Sequence, residues 1–187
     1  TGGGALSMLD ELREIKKERL APSLFTLKIG DEGLNALMGT VVEDATLSLA
    51  GTKFRSRGTL LITDWGVSGP ATLKLSSYAA YYLKDNDYKA HLIINYLSID
   101  EESVRRELGQ TSESQPKKQV ANTPVRGITS RLWSYLLKRS GIREDIRWAE
   151  LGSKGLNRLV NTIVSDDYRV DGRCRFKEEF VTAGGVS

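Results

Sequence analysis

The chain has few of the residue types from which covalent frameworks and metal sites are built. Of its 187 residues one is cysteine, Cys174, and one is histidine, His91. A single cysteine excludes an internal disulfide framework and a cysteine-rich zinc site. A single histidine excludes a histidine-based metal cluster. We therefore expect no metal centre, and we interpret Cys174 as a free structural thiol and His91 as an ordinary sheet residue.

Long apolar runs and several catalytic motifs are also absent. No stretch approaches the roughly 18 apolar residues of a membrane-spanning helix. The first residues, TGGGALSMLDEL, lack the basic and apolar regions of a signal peptide. We therefore expect a cytoplasmic protein with no membrane partner. The sequence has no G-x-G-x-x-G turn of the kind that holds flavin or nicotinamide dinucleotides, and no nucleophile elbow.

The composition that remains is that of an ordinary globular protein. Hydrophobic residues make up 40%, charged residues 27%, and the formal net charge is +3. The length suffices for one domain or two small ones with a proper core. The mild positive charge does not by itself indicate a nucleic acid or an anionic membrane as partner.

Hydrophobic periodicity predicts one helix and then a β-meander in the first half of the chain. An amphipathic helix is predicted over residues 5–20, and Pro22 ends it. We interpret residues 1–22 as a packing helix or a linker. Alternating and β-branched runs then predict strands over residues 24–29, 41–50, 53–58, 59–63 and 88–97, with a helix over residues 68–82.

The second half of the chain predicts a helical unit followed by a return to strands. Ser98 and Glu101 have the spacing of a capping box, which predicts a helix from Ser98. Ser153 is the predicted cap of a later helix. The polar residues 109–124 predict a linker or mobile loop. The remaining predictions are helices over residues 128–141 and 151–165 and strands over residues 168–176 and 178–186.

The predicted fold class is α+β. We expect a β-rich, barrel-like subdomain formed by residues 23–97 and 166–187. A small helical subdomain, residues 98–165, is expected to be inserted into it, because strands flank it on both sides.

The segment GTLLITDWGVSGPATLKLSS, residues 58–77, carries the most information. Ser68 is a candidate helix cap and Pro70 suits the first helical position. A strand, a tight turn and a helix N-terminus bring backbone N–H groups together, and such a point can hold an anion or a polar ligand edge. An ordinary β-to-α connection has the same pattern, so both interpretations stay open.

This segment resembles the GxLLFTHxGxSGPAxLxLSS signature of the bacterial YhiN-like flavoproteins, which are NAD(P)/FAD-dependent oxidoreductases. The closing residues EEFVTAGGVS, 178–187, resemble the same family's xxxVTAGGVx segment. The two matches stand in the family's order. Asp64 departs from the pattern, because the family commonly has histidine there, and this puts a direct transfer of that residue's role in doubt.

The resemblance implies that the chain is the inserted, substrate-side (cap) domain of a flavin-dependent oxidoreductase. FAD is then expected in the parent protein, while this fragment alone is expected neither to bind FAD nor to be catalytic. The implied partners are the flavin-binding domain of the same parent chain and a small-molecule substrate. The implied substrate- or flavin-proximal residues are Thr63, Asp64, Trp65, Gly66, Ser68, Gly69, Thr182, Gly184 and Gly185.

A stand-alone interaction or nucleic-acid-binding module remains the alternative. The helical part is rich in basic residues, and such a surface can contact phosphates. However, Trp133, Leu136 and Leu137 fall at core spacing, and acidic residues dilute the charge. We therefore expect no nucleic-acid partner. The basic residues in question are Arg126, Arg131, Lys138, Arg139, Arg143, Arg147, Lys154 and Arg158.

Overall fold

The computed structural model describes residues 20–173 and the backbone of residues 181–183. The predicted helix over residues 5–20 lies outside the described residues, as do Cys174, Gly184 and Gly185. The strands are β1 (Ala21–Ser23), β2 (Leu27–Ile29), β3 (Val41–Leu49), β4 (Arg55–Thr63), β5 (Gly66–Ser68), β6 (Ala90–Asn95), β7 (Asp166–Arg173) and β8 (Val181–Ala183). The α-helices are α1 (Glu32–Asn35), α2 (Pro70–Tyr78), α3 (Ala80–Asp85), α4 (Glu101–Ser114), α5 (Ser130–Arg139) and α6 (Trp148–Val164).

Six strands form a closed antiparallel barrel in the order β2-β5-β4-β3-β6-β7. Alternation along the strands produces this arrangement, because every second side chain points to the same face. In β7, for example, Tyr168 and Val170 are buried while Asp167 and Arg169 are exposed. The barrel interior is filled by apolar side chains: Leu27, Ile29, Val42, Leu47, Leu60, Ile62, Leu92 and Ile94.

The helices α4, α5 and α6 lie in sequence between β6 and β7, which are neighbours in the barrel. Helix α4 packs along α6. On α5, Trp133, Leu136 and Leu137 are fully buried, as their spacing predicted. The predicted α+β class, with a barrel and a helical part, is confirmed. The residue boundaries of the two subdomains stay a prediction.

A separate two-stranded ribbon stands beside the barrel. Strand β1 leads into the barrel and pairs antiparallel with β8, in the register Ala21↔Ala183. Helices α2 and α3 pack against β1. The chain therefore enters the barrel and returns from it along one ribbon.

Two sequence-based elements are interrupted in the structure. The predicted strand over residues 24–29 is shorter, because Leu24 has φ of 57° and ends the extended run after β1. The predicted helix over residues 68–82 is two helices, α2 and α3, which meet at Ala79, where φ is −98° and ψ is 15°. The helical turn is broken there, and α3 begins at the next residue.

Each of the three predicted serine caps is wrong. Asp100 caps α4, with its carboxylate accepting from the Ser103 backbone N–H at 2.8 Å, whereas Ser98 has φ of 55° and donates its hydroxyl to the Asp44 carbonyl. Helix α6 begins at Trp148, before Ser153, and bends at Gly152 (φ 66°). The third case, Ser68, belongs to the signature segment described below.

The predicted linker over residues 109–124 is wrong for residues 109–114, which are helical. Helix α4 continues to Ser114, and a short 3₁₀ turn follows at Val120–Asn122. The Trp133 indole donates to the Val120 carbonyl at 2.8 Å, and the Trp148 indole donates to the Thr123 hydroxyl at 2.7 Å. Two buried tryptophans thus anchor a segment whose polar composition suggested mobility.

Within residues 20–173 and 181–183, no helix is both long and apolar enough to cross a membrane. In the same residues no group of three or more His, Cys, Asp or Glu side chains is arranged to hold a metal ion.

Candidate functional site

The signature segment forms a tight β-hairpin followed by a helix. Strands β4 and β5 pair with Thr63 opposite Gly66, so Asp64 and Trp65 are the two turn residues. The Thr63 hydroxyl donates to the Gly66 carbonyl at 3.1 Å. Asp64 is exposed and Trp65 is half-buried.

The two signature glycines are required where strands approach each other closely. A Cβ built on Gly66 would lie 2.2 Å from the Leu27 carbonyl oxygen and 2.7 Å from the Ile29 nitrogen. A Cβ on Gly69, where φ is 89°, would lie 2.9 Å from the Thr59 carbonyl oxygen. Both glycines therefore allow β5 to lie close to the neighbouring strands β2 and β4. The position that a side chain would occupy is filled by backbone atoms of those strands.

The helix start within the signature differs from the prediction in one respect. Pro70 opens α2, as expected, but Gly69 is the N-cap and no side chain caps the helix. Ser68 is the last residue of β5, and its carbonyl accepts a hydrogen bond from the Thr72 hydroxyl at 3.0 Å. Ser68 is therefore not the cap, because strand pairing fixes its backbone before the helix begins.

The remaining predicted site residues lie elsewhere. Thr182 belongs to β8 and pairs with Pro22 in the two-stranded ribbon. Gly184 and Gly185 lie outside the described residues. The structure thus brings Thr63, Asp64, Trp65, Gly66, Ser68 and Gly69 together on one hairpin, and it places Thr182 in a different sheet. Proximity of any of these residues to substrate or flavin stays a prediction.

A buried polar cluster, which we call the Asp166 cluster, connects the helical part with the barrel. Its centre is the Asp166 carboxylate, which accepts from Arg139 Nε at 2.5 Å, the Tyr168 hydroxyl at 2.5 Å and the Tyr96 hydroxyl at 3.0 Å. Its outer members are Tyr135, whose hydroxyl lies 2.9 Å from that of Tyr168, and Asp31, which pairs with Arg139 at 3.1 Å.

Burial sets the charge states of this cluster. It raises the pKa values of Tyr96, Tyr135 and Tyr168, so these phenols stay protonated at neutral pH and act as donors. Burial also raises the pKa of Asp166, although hydrogen bonds from Tyr168 and Arg139 oppose that rise. Burial acts most strongly, to lower the pKa of Arg139, but the hydrogen bond to Asp166 and the electrostatic interactions with the neighbouring acidic groups together outweigh it, and the net pKa is raised.

The Asp166 cluster holds α5 against the barrel. Tyr135 and Arg139 come from α5, while Asp166 and Tyr168 come from β7. The Arg139 guanidinium also stacks 4.3 Å from the centre of the Tyr168 ring. Sequence reasoning missed this cluster because its members are far apart along the chain. The only local signal was Tyr168 in an alternating strand, which does not reveal its partners.

The outer face of the barrel carries a polar concavity that we call the β3 groove. Pairing of β3 with both neighbours places Ser48 between Arg55 and Ile93, and Thr46 between Arg57 and Asn95. The concavity has a volume of about 420 Å³. Its walls contain no acidic residue among those described, and they are formed by Thr46, Ser48, Thr52, Lys53, Phe54, Arg55, Ile93, Asn95 and Val164.

A second basic concavity of about 300 Å³ adjoins this groove along β6 and is lined in part by Lys89, His91 and Arg169. The Ala50 backbone N–H donates to the His91 carbonyl, so this concavity lies beside the C-terminal end of β3. Here, however, each basic side chain has an acidic neighbour: Lys89 has Asp87 at 3.8 Å, His91 has Asp167 at 3.0 Å and Arg169 has Asp171 at 3.3 Å.

Comparison with known proteins gives the family of this fold. Residues 21–181 match the family model described as the HI0933-like protein barrel and H2TH domain. The chain belongs to this family. It is the middle region of the YhiN-like flavoproteins, so the resemblance seen in the signature segment is confirmed.

Two curated relatives carry the same printed name, "Ribosomal RNA dihydrouridine synthase". The protein from Haemophilus influenzae is 28% identical over 162 residues, which are 87% of this chain and 37% of the relative. The protein from Escherichia coli K12 is 25% identical over 155 residues, 83% of this chain and 36% of the relative. The chain thus spans somewhat more than a third of the length of these relatives.

The two signature glycines lie against protein backbone. Both were candidates by the resemblance, and they approach the backbone of Leu27 and Thr59. The sequence also contains no G-x-G-x-x-G turn.

Proposed function

We propose that this chain is the substrate-side unit of a flavin-dependent ribosomal RNA dihydrouridine synthase. The observation that carries the proposal is the match of nearly the whole chain to about a third of two proteins with that name. The unit would bind the RNA, and the flavin would be held by other parts of the longer protein. An rRNA substrate also fits the cytoplasmic location expected from the sequence.

The chemistry implied by that name requires a reductant. Dihydrouridine is uridine with two additional hydrogens on its ring, so making it from uridine is a reduction. Flavins carry out hydride transfer, and the protein supplies binding, orientation and a closed site. In this division of labour the barrel and helices orient the RNA, and they need no redox group of their own.

Two features of the fold support a role as an inserted unit. The ribbon of β1 and β8 brings the entry and the return of the chain to one place, which is how an inserted domain joins a larger one. The glycines of the signature close the barrel on itself. Both features favour a unit that folds around its own core beside a flavin domain.

An RNA substrate departs from our expectation of no nucleic-acid partner. That expectation is untested and rested on the mild net charge and on acidic residues near the basic helices. Several basic side chains of the helical part are nevertheless exposed, among them Arg126, Lys138 and Lys154. Together with the names of the relatives, they favour RNA over a free small molecule.

The test uses the purified chain with two ligands measured separately. We expect filter binding to retain total bacterial rRNA at low salt, with affinity that falls as salt rises because phosphate contacts release counterions. We expect no flavin absorbance to co-elute after incubation with FAD. A yellow, stoichiometric complex would contradict the assignment of flavin to other parts of the protein. Failure to bind rRNA at low salt would contradict the RNA-binding role.

A further inference from the structure

We propose that the β3 groove binds the sugar-phosphate backbone of an RNA strand. This inference rests on the proposed function and adds the surface that performs it. Three properties of the groove support it: the charge of its walls, the hydrogen bonds already made inside it and its shape.

The charge of the groove is complementary to phosphate. Lys53 and Arg55 are exposed, and neither has an acidic partner within salt-bridge distance among the described residues. Arg57, one register step along, differs because it forms a bidentate pair with Asp44. Three other concavities of the described chain have acidic walls: one contains Asp31, one Glu150 and one Glu43. The β3 groove therefore combines concave shape with uncompensated positive charge.

The hydrogen bonds inside the groove favour backbone recognition over reading of base edges. Asn95 already donates to the Ile99 carbonyl, and its side-chain oxygen accepts from the Leu97 and Ser98 backbone. The Thr52 hydroxyl donates to the Leu49 carbonyl and accepts from the Phe54 N–H. These groups have little capacity left to discriminate bases. The groups that remain, two cations and the Ser48 hydroxyl, suit phosphate and ribose oxygens.

The floor of the groove is made of small side chains. Thr46 and Ser48 of β3 form it over about 7 Å, given a rise of about 3.3 Å per residue. The half-buried Phe54 ring lies in one wall and packs against Tyr82, with ring centres 5.7 Å apart. The adjoining concavity around Lys89 and Arg169 extends the path, but its paired acidic residues weaken the attraction there.

The test measures fluorescence anisotropy with a labelled oligouridine of about 12 nucleotides. The variant is Lys53→Glu with Arg55→Glu. The matched control is Lys28→Glu with Lys74→Glu, which reverses the same number of exposed charges on β2 and α2, outside the groove. A Lys53→Gln and Arg55→Gln variant separates the loss of attraction from new repulsion, and circular dichroism checks that each variant is folded.

We expect the groove variant to bind about tenfold more weakly and the control to bind like the wild type. The slope of log affinity against log salt should fall by about 1.4 for two lost phosphate contacts on a single strand. Oligoadenine should bind as well as oligouridine.

Three outcomes would contradict the assignment of RNA binding to the β3 groove, and a fourth would contradict the RNA-binding role itself. Unchanged affinity in the groove variant, while the wild type binds, would assign RNA binding to another surface and leave the proposed function standing. A strong base preference that the groove variant abolishes would contradict backbone recognition. Equal competition by duplex DNA would contradict an RNA strand as occupant. If the wild type binds neither the oligonucleotide nor rRNA at about 50 mM salt, the RNA-binding role itself fails.

Discussion

Single residues in the signature segment have a structural role that their pattern did not reveal. Gly66 is needed because β5 crosses β2 so closely that any side chain would strike the Leu27 carbonyl oxygen. At Gly69 the backbone φ is 89°, a conformation that favours glycine, so this position is constrained by its backbone as well as by its neighbours. Barrel closure therefore explains the two glycines of the GxSGP part of the signature.

We predict that Gly66→Ala lowers the free energy of unfolding by about 3 kcal/mol, because the new methyl group must displace the backbone of β2. Chemical denaturation monitored by circular dichroism measures this. The control is Gly109→Ala, since Gly109 lies inside α4 with open space around it. That change should stabilise the chain by about 0.5–1 kcal/mol. Similar effects at both sites would show that Gly66 is not under steric constraint.

The Asp166 cluster gives a second prediction at this scale. Tyr168→Phe removes the hydroxyl that donates to Asp166 and lies beside those of Tyr96 and Tyr135. Leaving a buried carboxylate without one of its donors costs about 1–3 kcal/mol. Thermal denaturation should show this loss, while Tyr78→Phe should leave stability unchanged because Tyr78 is 61% exposed. An unchanged melting temperature in Tyr168→Phe would mean that the cluster does not hold α5 to the barrel.

At the scale of elements, the helix caps show where local reasoning failed. Ser98 and Glu101 had capping-box spacing, yet the chain turns at Ser98 and the helix starts three residues later, at Glu101, behind its cap Asp100. Asp100 caps the helix because its carboxylate accepts hydrogen bonds from both the Ser103 backbone N–H and the Ser103 hydroxyl. Two candidate caps two residues apart cannot be ranked without the path of the chain from β6.

The Asp100 cap makes the stability of α4 depend on pH. Hydrogen bonds from the backbone and side chain of Ser103 lower the pKa of Asp100. A lowered folded-state pKa adds stability above the unfolded pKa of about 3.9, and that stability is lost as pH falls through the folded value. We predict that Asp100→Ala melts at a lower temperature than wild type at pH 7, with the difference shrinking below pH of about 4.

The matched variant for the cap is Asp100→Asn, which keeps an oxygen acceptor without an ionisable group. Melting of Asp100→Asn should stay close to wild type at neutral pH and show less of the acid-dependent loss. An alanine variant that melts like wild type at pH 7 would contradict the assignment of Asp100 as the cap.

The helices and strands that a local hydrophobic pattern determines could be predicted from the sequence. Alternation identified the strands of the barrel, and core spacing identified the buried face of α5 at Trp133, Leu136 and Leu137. The ordered segment around Val120 was not predictable, because two indole N–H groups from distant positions satisfy its backbone and hydroxyl groups. Its own sequence is polar and contains proline, which is typical of a loop.

For the whole molecule, the fold class and the family followed from the sequence, but the candidate binding surface did not. The β3 groove depends on register: Arg55 lies beside Ser48 only because β3 and β4 pair with a shift between Val42 and Ala45. Such a shift moves side chains relative to their neighbours and leaves no local mark in composition. A binding surface that depends on strand register therefore cannot be predicted from local sequence and has to be identified in the structure.

Under the proposed function, the barrel and helices present rRNA to a flavin bound elsewhere in the same protein. The most direct test is the dihydrouridine content of rRNA, measured by mass spectrometry of nucleosides. Cells with the intact gene are compared with cells whose gene lacks the codons for residues 21–183, and the flavin absorbance of the shortened protein serves as the control for its folding. The account predicts a yellow shortened protein and the loss of a dihydrouridine from rRNA. Persistence of that dihydrouridine without the unit, or rRNA that contains no dihydrouridine dependent on the gene, would contradict it.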